Sequence, residues 1–227
     1  MNLFAKLALV APLMLGAAPV LAADLTNDLA PADLGPVKAP GKMLNWTVGL
    51  EVGPEFYATT KGSNKSGDYA DTYIKGSVAY AFDKNWVLNG SVQATLKNNN
   101  TEQYYAETGV GYKFKWGDFT LTPQAALGDT WDATGLGADG TSNALYYALY
   151  LAGDLKLNKE WTWNVFNARW RDAFDYQWQT PKVATGLTYN FSDQAKLNLN
   201  VGYSWKNTGS GYYGDKINLA AAMKYSF

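Results

Sequence analysis

From residue 44 to the end, the chain alternates apolar and polar side chains with a period of two. Leu44, Trp46, Val48, Leu50 and Val52 interleave with Asn45, Thr47, Gly49, Glu51 and Gly53. Successive side chains of a β-strand point to opposite sides, so this period predicts a strand with one apolar and one polar face. The same pattern predicts strands around 73–82, 86–97, 106–116, 119–127, 145–157, 161–171, 182–191, 197–206 and 217–227. The stretch 161–171 breaks step. Trp161, Trp163 and Val165 share a face, and Phe166, Ala168 and Trp170 continue it only if one residue is inserted near Val165. A β-bulge there keeps Asn167, Arg169 and Arg171 on the polar face. The alternative turns both arginines outward, at about 2–4 kcal/mol each if that face meets the middle of a bilayer.

The connections alternate in length. Short turns lie at 83–85, 117–118, 158–160 and 192–195. Longer polar segments lie around 59–68, 98–103, 133–141, 172–175 and 208–211. Aromatic residues gather beside the short turns (Phe82, Trp86, Trp116, Phe119, Trp161, Phe191, Phe227). A second set lies near the longer segments (Tyr57, Tyr69, Tyr104, Trp131, Trp170, Trp178, Trp205, Tyr212). Two aromatic girdles and a short–long rhythm predict an all-β fold, a transmembrane antiparallel up-and-down β-barrel of about ten strands. A soluble β-sandwich also has alternating strands, but it requires neither girdles nor that rhythm.

The N-terminus has another design. A short n-region with Lys6 precedes an apolar run from Leu7 to Leu15, and Val20-Leu21-Ala22 fits a small-x-small cleavage site. Residues 1–22 are therefore expected to be a signal peptide, with cleavage after Ala22 or, alternatively, Ala23. The apolar run is too short to span about 30 Å of bilayer. Residues 23–43, with Pro31, Pro36 and Pro40, follow neither period. This segment is expected to be a Pro-rich periplasmic tail, with a lumen plug as the alternative. The barrel would occupy 44–227.

Composition agrees. Aromatic residues make up 15% of the chain and charged residues only 17%, below the roughly 25% usual in soluble domains. Removing Lys6 with the signal peptide takes the formal charge from −1 to −2. That balance argues against nucleic acid as a partner. The chain has no Cys and no His. No disulfide framework, metal site or cofactor is expected. Asp129, Asp132 and Asp139 lack the spacing and the Glu of a calcium loop.

The chain ends Met223-Lys224-Tyr225-Ser226-Phe227. With the pattern above, this resembles small bacterial outer-membrane β-barrel proteins of the porin-like superfamily. The resemblance implies location in the Gram-negative outer membrane, contact with membrane lipid and lipopolysaccharide, and recognition of Tyr225 and Phe227 by the barrel-assembly machinery. It covers 44–227 and does not fix an activity.

Parity selects the candidate functional residues. Glu51, Lys75, Lys97, Glu107, Lys113, Asp154, Lys156, Arg169, Arg171 and Lys182 fall on the inward face. The acids are expected to pair with Lys75, Lys97, Lys113 or Lys156, since buried charges are normally paired. Many other inward positions are small, Gly53, Gly109, Gly128 and Gly186 among them, and would leave a passage. Basic inward residues outnumber acidic ones, which favours anions in a pore. Barrel enzymes commonly use a His as general base, and this chain has none, so no catalytic residue is assigned. The function expected is a small channel for passive diffusion of polar or anionic solutes. A non-conducting structural or adhesive barrel is the alternative.

Overall fold

The computed structural model describes residues 45–60, 63–97, 102–132, 143–175, 177–207, 209 and 211–227. The expected signal peptide and Pro-rich tail lie outside the described residues, as do Leu44 and most of the 98–103 and 133–141 segments.

Eleven strands follow one another in sequence: β1 Trp46–Tyr57, β2 Tyr69–Ala81, β3 Trp86–Lys97, β4 Glu102–Tyr112, β5 Phe114–Trp116, β6 Phe119–Asp132, β7 Asn143–Lys156, β8 Trp161–Ala173, β9 Lys182–Asn190, β10 Ala195–Lys206 and β11 Tyr213–Ser226. Each pairs antiparallel with its neighbours. β11 returns to β1, and β4 pairs with β6. β4 and β5 lie along the same strand β6, interrupted only at Lys113, and so form one stave. The result is a closed ten-stave up-and-down barrel. Closure removes both free sheet edges. The seam is tied at the chain end, where the amide of Phe227 donates to the carbonyl of Trp46 (2.9 Å) and the amide of Trp46 donates back (3.1 Å).

The alternation sorts side chains as hydrophobicity requires. Leu50, Leu88, Leu127, Leu145, Leu199 and Met223 all point outward, each more than half exposed. A continuous apolar exterior of this kind is unfavourable in water and suits lipid. Rings bracket the apolar zone. Tyr112, Phe114, Trp116 and Phe119 pack one against the next at the short-turn end, joined by Phe82–Trp86 and Tyr189–Phe191. Tyr104–Trp131 and Trp170–Tyr212 do the same at the other end.

The bulge near Val165 is present. Asn164 pairs with Gly186, but Asn167 pairs with Ala184, so β8 carries one residue more than β9 over that interval. Its pairing with β7 shifts at the same place. Phe166 thereby turns outward against Gly153, and Asn167, Arg169 and Arg171 face the interior.

Candidate functional site

The interior holds two cavities arranged end to end. The larger, about 830 Å³, lies at the long-connection end, and Gln177, Trp178, Lys206 and Asp215 are among its walls. The smaller, about 290 Å³, lies toward the short turns, between Thr47, Ala79, Asn89 and Lys224. Both are lined by Glu51, Lys75, Tyr150 and Asn167, which form their common wall. Asn167 faces inward at this junction, yet much of its surface is free of protein contact.

Lys97, Arg169, Arg171 and Lys182 line the larger chamber and Glu107 lines the smaller. Lys113, Asp154 and Lys156 border neither. Lys113 sits at the break between β4 and β5, and Lys156 is exposed at the end of β7. Asp154 accepts a hydrogen bond from Asn164 Nδ2 (2.7 Å). Asn164 belongs to a web with Thr188 and Asn198, which donate to its Oδ1 at 3.0 and 2.6 Å. This web occupies the interior between β8 and β10 at the short-turn end. Tyr225 and Phe227 lie on the outer face at the seam, their rings stacked at 6.3 Å.

The described contacts of the acids reach across the barrel as well as along the register, where Asp71 stands opposite Lys97. Glu107 faces Arg171 across the lumen (3.6 Å) and accepts the Tyr150 hydroxyl at 2.6 Å. Glu51 stands directly opposite Lys75 in register, yet it accepts the Tyr73 hydroxyl at 2.6 Å. Lys216 bridges Glu55 (2.9 Å) and Asp71. Parity assigns a residue to a face, whereas these partners are chosen across the barrel. Glu55 lies beyond Pro54, where the alternation of β1 is hard to follow, and continuing the inward parity from Glu51 would have found it.

Arg171 is the centre of a buried cluster. Its guanidinium lies over the rings of Tyr146 (4.6 Å), Tyr105 (5.0 Å) and Trp178 (5.8 Å). Trp178 belongs to the connection between β8 and β9, and the sequence placed it in the outer girdle. It lies inside the barrel instead, because the connection folds inward. Asp172 accepts the amide of Trp178 (2.9 Å) and the side-chain amide of Gln179 (3.2 Å), and Gln179 bridges to Asn207. Nothing in the polarity of this segment signals that re-entry.

The small inward residues also have a different use from the one expected. Gly53 opposes Tyr73 and Gly128 opposes Tyr146, and in each case a Cβ would collide with the tyrosine ring. These glycines seat aromatic rings that lie over the neighbouring strand, so they help to fill the interior as well as thin its wall. Among the described residues no group of three or more His, Cys, Asp or Glu is placed to hold a metal ion.

No protein-family profile matches the chain, and no curated protein does. Solved structures are similar. The β domain of the Bordetella autotransporter Brka has a TM-score of 0.50 at 12% identity, covering 81% of this chain and 99% of that one. An outer-membrane channel from Pseudomonas putida F1 gives 0.49 at 10% identity, over 86% of this chain and 100% of that one. The Neisserial surface protein NspA gives 0.41 at 10%, over 80% and 97%. The likeness is one of fold alone, that of a closed antiparallel β-barrel.

Proposed function

We propose that this protein is an outer-membrane β-barrel whose narrow lumen passes small polar and anionic solutes by passive diffusion. The observation that carries the reading is the pair of polar chambers in series, which share the lining residues Glu51, Lys75, Tyr150 and Asn167. The larger is lined by seven basic residues and three acidic ones. Fixed positive charge in a passage with low-dielectric walls concentrates anions. The apolar belt and two aromatic girdles support insertion among lipid and lipopolysaccharide. The expected signal peptide supports export, and the Tyr225–Phe227 terminus supports delivery by the barrel-assembly machinery. An enzymatic role has no constellation behind it, since the chain holds neither His nor Cys and Glu51, Glu55, Asp71 and Glu107 sit against tyrosine or a fixed cation.

The second reading, a non-conducting structural or adhesive barrel, draws on the inward-folded Trp178 and the Arg171 cluster, which fill part of the lumen. Planar bilayers decide between them. The refolded chain should give a small conductance whose reversal potential in a salt gradient indicates anion preference. That preference should fade as the Debye length falls from about 10 Å at 0.1 M to about 3 Å at 1 M salt. A correctly folded barrel with no current above background refutes the channel and leaves the structural reading.

A further inference from the structure

We infer that the larger chamber contains an oxyanion-binding site, for a carboxylate or phosphate group, formed by Arg169 and Lys182. The inference rests on the proposed reading of the lumen as open to solute, though not on its conducting.

Arg169 and Lys182 are register partners across β8 and β9, and both side chains line the chamber. Like charges directly opposite one another work against strand pairing. Among the described residues no carboxylate lies within ion-pair distance of either. Arg169 donates one hydrogen bond, from Nη2 to the carbonyl of Thr180 (3.2 Å), and its Nε is buried without a partner. The Lys182 ammonium lies 5.9 Å from the centre of the Tyr73 ring and forms no ion pair among the described residues. The neighbouring acids are committed elsewhere: Glu51 to the Tyr73 hydroxyl, Glu55 to Lys216 and Glu107 to Arg171, and Asp215, the third acid of the chamber, has a partner of its own. The wall therefore carries two adjacent uncompensated charges with spare donors. A guanidinium also presents the hydrogens of its two Nη atoms as a planar edge that matches two oxygens of one oxyanion. An ammonium beside it supplies a point charge to the same group. The β8 bulge creates the arrangement, since without its extra residue Arg169 would face outward. A chamber of about 830 Å³ falls within the range of small-molecule sites.

The test is calorimetric titration of the refolded full chain in detergent, at constant ionic strength in chloride. Inorganic phosphate is the probe in one arm and succinate in the other. Saturable binding of at least one is expected, and the stronger arm identifies the source of the oxyanion. Arg169→Gln and Lys182→Gln should each weaken it about tenfold or more, the loss of one charge-assisted contact. Lys84→Gln, at an exposed short turn, should bind as the wild type does. Binding of neither anion, or unchanged affinity in both lumen variants, overturns the site. A thermal readout guards against misfolding. Lys182→Gln should raise the unfolding midpoint in the same chloride buffer without phosphate or succinate, because the repulsion is gone, and phosphate should no longer raise it further. A lower midpoint refutes the premise of uncompensated charge. A barrel that binds phosphate but passes no current retains the site and ends the channel reading, so the two failures are separable.

Discussion

Removing Arg171 should destabilise the barrel strongly while barely altering any ion selectivity. The side chains of Arg171 and Glu107 are only 10% and 9% exposed, and the described contacts of Glu107 are Arg171 and the Tyr150 hydroxyl. Deleting one partner of a buried ion pair costs about 3–5 kcal/mol, because the other charge is left uncompensated. Tyr150 would still serve one oxygen of Glu107, which places the expected loss for Arg171→Ala near 3 kcal/mol. Release of the three rings stacked on the guanidinium adds about 0.5–2 kcal/mol. Replacing both charges, as Arg171→Met with Glu107→Gln, should recover most of the loss, since apolar replacement of a buried pair is often close to neutral. Urea unfolding of the refolded barrel in lipid vesicles, followed by tryptophan fluorescence, compares the wild type with the single and the double variant. Selectivity supplies a second readout. Arg171 is neutralised by Glu107 and Arg169 is not, so Arg169→Ala should move the reversal potential toward cations and Arg171→Ala should hardly do so. An Arg171→Ala barrel as stable as the wild type, or a double variant no better than the single, would refute the assignment of this pair.

Trp178→Ala should enlarge the larger chamber and raise the conductance. Its stability cost should fall below the roughly 3–5 kcal/mol of a Trp-to-Ala change in a dry core, because water refills a polar lumen; an unchanged conductance would mean that the indole does not obstruct the path. Cysteines introduced at Ser63 and Gly209, in long connections, should react with an impermeant label on intact cells, and one at Asn158, in a short turn, should not. Labelling at Asn158 alone reverses the orientation. Deleting Phe227 removes both backbone hydrogen bonds that tie the seam to Trp46 and should lower the amount of heat-modifiable barrel recovered from the outer membrane; an undiminished amount would show that neither closure nor assembly depends on it.

The barrel itself was legible because its signals are local. Each strand declares its lipid face by period, and Val165–Phe166 betrays the bulge because two apolar residues in succession cannot both be outward without an extra residue. The lumen was less legible because its contacts are not local. The alternation puts Glu107 and Arg171 inside without saying that β4 and β8 meet across the barrel. Lys75 is the register neighbour of Glu51, yet a tyrosine from the same strand takes the carboxylate. Gly53 and Gly128 look like open space in sequence and are seats for rings. Trp178 resembles every other aromatic beside a long connection; only Asp172 and Asn207, which anchor its segment, determine that it enters the interior.

These long-range pairings divide the interior charges into two kinds. Arg171 and Lys216 have carboxylates within ion-pair distance, and they brace staves against one another. Among the described residues Arg169 and Lys182 have none, although they stand in the same wall. A lumen needing only mechanical bracing would gain by pairing these two as well, because an unmatched charge in a partly dry interior is costly. Their retention side by side in the larger chamber is better explained by a mobile counter-charge that enters from solution. That division also separates the consequences of mutation. Changes at Arg171 or Lys216 should act on stability, and changes at Arg169 or Lys182 on what the chamber admits. A Lys216→Met substitution tests the rule from the other side: it strands Glu55 and Asp71 together and should lower the urea midpoint clearly, while leaving phosphate affinity at Arg169 and Lys182 within a factor of a few. A Lys216→Met barrel with full stability and lost phosphate binding would invert the assignment of the two groups.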